Sequence, residues 1–521
     1  MRHFASVIVS AALLIAVLFL PLQSRAQEVA SLTGAVTDKS GAVIAGATAL
    51  LLDTKTNNVY QTTTNSVGAY SFLRVLPGPG YELTISKPGF ETVTVANIYL
   101  GVSTTHTQNI QMELGKVTAN VEVSAAGQAV SLDTTDSTVG NNFDMRSVHE
   151  LPIQVRDSPA ALLALEPGVV TAPVGGDDPN ASRDGAVTGA RTDQGNVTLD
   201  GLDVNDYATG QDFSTVANAP VDSIQEFRGE TANPLAASGR GSGAQITLST
   251  KSGDNNWHGS AYEYNRNTDF EANSFFNNLN GLPRTKLIRN QFGATLGGPV
   301  LKNKLFFFFN YQGRRDARED SVLRIVPLDS FRNGSVSYIN NGAGCTPTSR
   351  ANTQPACITT LTPGQVAAMD PQGIGSDPAL LNFITSRYPQ ANDLTAGDGV
   401  NTGGFRFNAP VGRTENDYVG RVDYNLNSKM KFFGRFSILR DISGDDVNFS
   451  APFQFPGDPI THQISDRSWA WVIGNTWTIS NNKVNQFNVG ETRSVLGFPT
   501  NFNPNGTTYL QTLMNLSLIH I

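Results

Sequence analysis

Tyr418-Val419-Gly420-Arg421-Val422-Asp423-Tyr424-Asn425-Leu426 alternates without a break. Tyr418, Gly420, Val422, Tyr424 and Leu426 share one parity; Val419, Arg421, Asp423 and Asn425 share the other. Successive side chains of a strand point to opposite faces, so this stretch predicts a ribbon with one apolar and one charged side. The pattern recurs. Phe432, Gly434, Phe436 and Ile438 alternate with Lys431, Phe433, Arg435 and Ser437, and Trp469, Trp471, Ile473, Trp477 and Ile479 share a parity. Water-soluble sandwiches alternate too, so the connections decide. Strands are expected over 258–266, 289–298, 305–314, 417–426, 431–440, 467–479 and 484–494. Between them, Pro299–Lys304, Asn427–Met430 and Ser480–Lys483 are short, while Asn267–Ile288, Arg315–Asn416 and Asp441–Asp466 are long. Strict alternation of long and short connections is the pattern of an antiparallel barrel in an outer membrane, with short periplasmic turns and long outside loops. Arg421, Asp423 and Arg435 must then face the lumen, because an Arg against lipid at mid-depth costs roughly 2–4 kcal/mol. Tyr262, Tyr264, Phe306–Phe309, Tyr311, Tyr418, Tyr424 and the Trp residues would supply lipid contacts and interfacial girdles.

Composition agrees with a mainly β chain. Of 521 residues only 16% are charged, 49 are Gly and 28 are Phe, a mixture poor in helix formers. The 37 basic and 45 acidic residues give a net charge of −8, which offers no basic field for a nucleic-acid partner. The Gly-rich run Ser238–Gly243 lacks the Lys-Ser/Thr ending of a phosphate-binding loop, and no motif calls for a cofactor. His149-Glu150 has no second His at helical spacing, so no zinc hydrolase is expected.

Arg2 followed by the apolar Val7–Leu20 and by Ser24-Arg25-Ala26 reads as a signal peptide, cleaved between Ala26 and Gln27. As a helix the 14 apolar residues would span roughly 21 Å, short of the ~30 Å hydrocarbon core, which disfavours the alternative of a permanent anchor. An exported chain with only Cys345 and Cys357 suggests a disulfide between them, with two free thiols as the alternative. No later apolar run approaches 18 residues, so any membrane crossing must be by a closed barrel.

From 27 to 115, strand-sized runs recur every 8 to 12 residues, the rhythm of a small sandwich. Gly34-x-Val36-x-Asp38, Gly46-Ala47, Gly68-x-Tyr70-x-Phe72 and Pro77-Gly78 resemble the carboxypeptidase regulatory-like domain, a seven-stranded transthyretin-like β-sandwich without peptidase activity. From 129 to 253, Glu150-Leu151-Pro152-Ile153-Gln154-Val155-Arg156, Ala161–Val170, Gly189–Gly201, Ser223-Ile224-Gln225-Glu226-Phe227-Arg228 and Gly239–Gly253 resemble, in order, the α+β plug of Oar-like TonB-dependent outer-membrane receptors. Arg289–Pro299 and Phe306–Tyr311 are similar to the barrel of the same receptors. The expected fold is therefore mainly β: signal peptide 1–26, sandwich 27–115, linker 116–128, plug 129–253 and the first part of a transmembrane antiparallel β-barrel over 254–515.

The resemblance implies more. In that family an extended segment before the plug pairs with a TonB-type energy-transducing protein; Val117, Thr118, Ala119, Asn120, Val121, Glu122 and Val123 occupy that place, either as such a box or as an ordinary connector. Asp200, Asp203, Asn205 and Asp206 could suggest calcium, but the Gly and the terminal Glu of an EF-hand loop are missing, and a turn accounts for them better. Barrels of these receptors have about 22 strands. The roughly 260 residues after the plug cannot supply them, so an N-terminal fragment is expected, with Leu516–Ile521 reading as a translated sequencing adaptor. The implied function is ligand uptake through the outer membrane by TonB-dependent plug remodelling, with lipid, a TonB-type protein and an unknown extracellular ligand as partners. The alternatives are a non-transporting adhesion or assembly protein with the same body, and a secreted soluble multi-sandwich protein.

Overall fold

The computed structural model describes most of residues 29–497. Outside the description lie 1–28, 116–119, 125–136, 145–149, 151–162, 172–184, 191–193, 207–218, 341–356, 444–454, 457–462, 481–482, 498–521 and scattered positions at 164, 235–240 and 274–282. The signal-peptide segment with Ala26 and Gln27, Val117–Ala119 and Cys345 fall there, as do 161, 162 and 164; a short helix stopping at Pro167-Gly168 is the expectation for 161–170, but Val169 and Val170 lie in a strand and the described residues before them are a 3-10 and turn segment.

The first unit is a two-sheet sandwich. One sheet pairs β4 (Ala69–Val75) with β1 (Ala30–Asp38), along whose other edge lie β7 (Thr105–Thr107) and β8 (Ile110–Met112). The second sheet runs β3 (Asn58–Thr63), β2 (Thr48–Asp53), β5 (Gly78–Ser86), β6 (Thr92–Leu100) and β9 (Asn120–Ser124). Since β7 and β8 together make one interrupted edge beside β1, the sandwich has the expected seven strand positions, plus β9 from the linker. Alternate residues such as Leu32, Leu51, Leu83, Ile85 and Leu100 fill the space between the sheets, and all are fully buried.

The plug is a second core. Its sheet runs β10 (Val139–Asp144), β15 (Ile224–Ala232), β16 (Gln245–Thr250), β13 (Asn196–Leu199) and β14 (Leu202–Asp203), with a separate hairpin of β11 (Val169–Thr171) and β12 (Gly185–Val187). Leu163, Val197, Leu199, Phe227, Ile246 and Leu248 form its apolar centre. The run Gly241-Ser242-Gly243 enters this sheet where a Cβ on Gly241 would lie 1.7 Å from the Gln194 carbonyl oxygen, so the glycine permits a close backbone approach.

Beyond it stands a large antiparallel sheet of β17 (His258–Asn267), β18 (Leu287–Leu301), β19 (Leu305–Pro327), β22 (Thr402–Asn425), β23 (Met430–Ser443), β25 (Trp469–Ser480) and β26 (Lys483–Arg493), with β24 (Ile464–Asp466) and β27 (Leu496–Gly497) beside its outer end. The seven expected strands are present, but β19 and β22 are far longer, with 23 and 24 residues paired from Leu305↔Tyr424 to Pro327↔Thr402. The long loop expected over Arg315–Asn416 therefore begins only after Pro327. It holds a hairpin of β20 (Val336–Ile339) and β21 (Ile358–Leu361) and the helices α1 (Asp329–Arg332), α2 (Pro363–Met369) and α3 (Pro378–Arg387). Cys357 is disulfide-bonded within this loop.

Period two is obeyed throughout the sheet. Asn310, Gln312, Arg314, Glu415, Asp417, Val419, Arg435 and Val472 point inward and are buried, while Leu296, Phe309, Val422, Phe436, Ile473, Phe487 and Val489 line the exposed outer face. Two expectations are corrected. Phe306 and Phe308 fall on the inward parity and are buried, so only Phe307 and Phe309 of that run face out. Tyr262 and Tyr264 also look inward: the Tyr264 hydroxyl lies 3.5 Å from Asp222 of the plug.

Candidate functional site: the plug and wall junction

The plug meets the sheet's inner face at a two-residue turn. Thr198 pairs with Asp203 and Leu199 with Leu202, leaving Asp200-Gly201 as the turn between β13 and β14. Their φ angles are +50° and +76°, the pair of left-handed residues that a twisted hairpin needs and that Asp-Gly adopts most readily. The turn pushes the Asp200 carboxylate toward the wall. Oδ1 accepts the Thr250 amide at 3.0 Å and Oδ2 its hydroxyl at 2.8 Å, which fixes the carboxylate's rotation.

Across the junction Arg421 and Arg435 stand directly opposite one another on β22 and β23. Two like charges in one cross-strand pair repel. Asp200 resolves this: Arg421 Nη1 donates to Oδ1 at 2.8 Å and Arg435 Nε to Oδ2 at 3.2 Å. Arg421 also binds Asp423 at 3.0 Å and lies over the Phe433 ring, and Arg435 donates to Ser437 Oγ at 2.9 Å and to the Leu199 carbonyl at 3.1 Å. Two cations and two carboxylates balance, and all four residues are buried. Around this centre the Thr492 hydroxyl donates to the Asp203 carbonyl at 3.0 Å, and Leu202 packs over Gly490 of β26. The chemistry is that of a latch, with charge-assisted hydrogen bonds between bodies far apart in sequence.

The acidic patch is thus divided between two tasks. Asp200 faces the arginines, whereas Asp203 Oδ1 accepts the Asn205 amide at 3.0 Å, the local turn hydrogen bond that its residue type favours. Of the linker segment, Asn120, Val121, Glu122 and Val123 lie in β9, paired in parallel with Thr92–Val95 of β6. Cys357 sits apart from these elements, in the outer loop, so among the described residues the structure brings neither it nor Asn120–Val123 to the junction.

A family model described as "Outer membrane beta barrel domain" matches residues 249–518, just over half of the chain. The chain belongs to that family. Its barrel places it in the outer membrane of a Gram-negative bacterium. A second model, the carboxypeptidase regulatory-like domain, matches residues 31–113 of this outer-membrane protein. The TonB-dependent transporter Oar of Myxococcus xanthus is 26% identical over 266 residues, covering 48% of this chain and 23% of that protein. Among solved structures, the outer-membrane transporter YddB of Escherichia coli is similar with a TM-score of 0.42 at 10% identity, covering 68% of this chain and 38% of that one. The ferric enterobactin receptor PfeA of Pseudomonas aeruginosa gives 0.41 at 12%, covering 70% and 45%. The barrel protein thus spans less than half the length of each of these relatives.

Proposed function

We propose that this chain is a TonB-dependent receptor that takes up an extracellular ligand by remodelling its plug. The observation that carries the reading is the seating of Asp200 between Arg421 and Arg435. An interface meant to stay shut is best sealed by apolar packing, since a buried ion pair adds little net stability over a hydrophobic one. An ionic seat behaves otherwise: it specifies one docked position, yet comes apart once solvent and a small displacement reach it. That combination suits a plug that must hold the lumen at rest and move on demand.

On this reading the pull arrives through 117–123, whose residues 120–123 are already extended at a sheet edge in β9, the form in which one strand can be added to another. No covalent step is needed. A photo-reactive residue at Val121 should cross-link to a TonB-type protein in energised cells and lose that product when an uncoupler is added. An unchanged surface phenotype after deletion of 117–123, with no such product, would favour the adhesion or assembly role instead.

A further inference from the structure

Glu226 lies near the start of β15 and is 1% exposed, yet its carboxyl serves a different domain. Oε1 accepts the amide of Val102 at 2.8 Å and Asn142 Nδ2 at 2.9 Å. Val102 follows β6 in the sandwich, and its side chain is fully buried at the contact. The approach is close: a Cβ on the neighbouring Gly101 would fall 2.5 Å from Asn142 Nδ2 and 3.2 Å from Glu226 Oε1. Oε2 is buried with no hydrogen-bond partner. Beside the carboxyl sits the Tyr99 hydroxyl, an acceptor for an acid proton as readily as a donor.

Separate contacts seat the same domain on one rim of the barrel sheet. Asn57 Nδ2 donates to Asn303 Oδ1 at 3.1 Å, Asn255 donates its amide to the Lys55 carbonyl at 3.0 Å, and Lys431 hydrogen-bonds the Tyr60 hydroxyl while lying 3.9 Å from the centre of its ring. The sandwich therefore touches both the plug and the barrel sheet.

We propose that Glu226 is the fastening between the N-terminal sandwich and the plug, and that closing it takes up one proton from solvent. The proton goes to Oε2, which lacks a donor, and the neutral acid keeps its acceptor role toward Val102 through Oε1. The surroundings favour this form. Burial pushes the Glu226 carboxyl up to about 7, against the smaller opposing pulls of the Val102 amide, Tyr99, Asn142 and Arg228. Arg228, on the same strand, is shared with Glu230 at 2.7 Å, Asn142 Oδ1 at 3.1 Å and Thr138 at 2.8 Å. Burial, Glu226 and Asp144 keep Tyr99 protonated. Glu166 is held by Asn141 Nδ2 at 2.9 Å. A carboxyl that binds its proton more tightly when buried stabilises the closed joint fully below about pH 4.5, and that contribution is lost as pH rises through about 7. Acid tightens the fastening.

This inference stands apart from the uptake reading, because it concerns only how two domains of the chain are joined. The test is amide exchange of the 98–104 segment in the intact receptor, corrected for intrinsic exchange rates. Protection should be about twentyfold greater at pH 5.5 than at pH 7.5. In Glu226→Gln, which mimics the neutral acid, it should stay high with no pH slope. In Glu226→Ala, which leaves the Val102 amide without its acceptor, it should be low throughout. A flat profile in the parent, or the parental slope persisting in Glu226→Gln, overturns the proposal. His106 stands in β7 just past this loop, and Glu226→Gln leaves it in place, so a surviving slope would point away from Glu226. Should Glu226→Ala fail to assemble, the parent and Glu226→Gln profiles still decide.

Discussion

Asp200 is a hairpin residue whose carboxylate joins two guanidinium groups of the barrel wall. Its position ahead of Gly201 marks it as a turn residue, and the alternation around Arg421 and Arg435 places both guanidinium groups in the lumen. That they meet is hidden from the sequence, because the partners are separated by 221 and 235 positions and no local pattern encodes such a pairing. Glu226 is equally opaque: nothing in a Gln-Glu-Phe-Arg run says that its carboxyl will be buried against another domain. The ionic seat makes a definite prediction. Asp200→Ala leaves two opposed guanidinium groups in a buried site, and loss of one partner of such a set costs about 3–5 kcal/mol. Amide protection across 196–203 should fall accordingly while the barrel strands keep theirs; unchanged protection would mean that the plug is held by other contacts.

At the scale of elements, the strands are legible where one face differs chemically from the other. β17, β18, β23, β25 and β26 lie where the alternation puts them, to within a few residues. The outer halves of β19 and β22 do not show in this way, for a physical reason. Arg314-Arg315-Asp316-Ala317-Arg318-Glu319-Asp320 is polar on both parities, so no period stands out where both sides of a ribbon leave the lipid. The linker strand β9 is legible only as an extended stretch, because edge pairing of a Val-rich segment depends on which edge is vacant nearby. The outward parity of Phe436 yields a prediction of its own. Phe436→Arg should destabilise the barrel by roughly 2–4 kcal/mol in a urea titration from lipid vesicles. A neutral result would place that face against water or protein.

Across the whole molecule, three cores follow one another along the chain, and polar contacts join them: the Asp200 seat between plug and wall, Glu226 between plug and sandwich, and the Asn57 and Tyr60 contacts between sandwich and barrel rim. On the uptake reading the long loop after β19 faces outward and the sandwich faces the periplasm. A cysteine at the exposed Met369 at the end of α2 should react with a membrane-impermeant maleimide on intact cells, whereas one at Asn57 should react only after the outer membrane is opened. The opposite pattern would turn the molecule upside down in its membrane.

The paired stretch of β19 and β22 has a consequence for what this protein can encounter. Twenty-three extended residues reach about 76 Å, and 9–11 of them suffice to cross the bilayer. The remaining dozen form a stiff two-stranded mast roughly 40 Å long, whose own Val322, Ala409 and Val411 make a small buried apolar cluster with Phe407. The hairpin of β20 and β21 and the helices that crown it are thereby carried well clear of the span that the bilayer needs, so that a large object could bear on them without approaching the lipid.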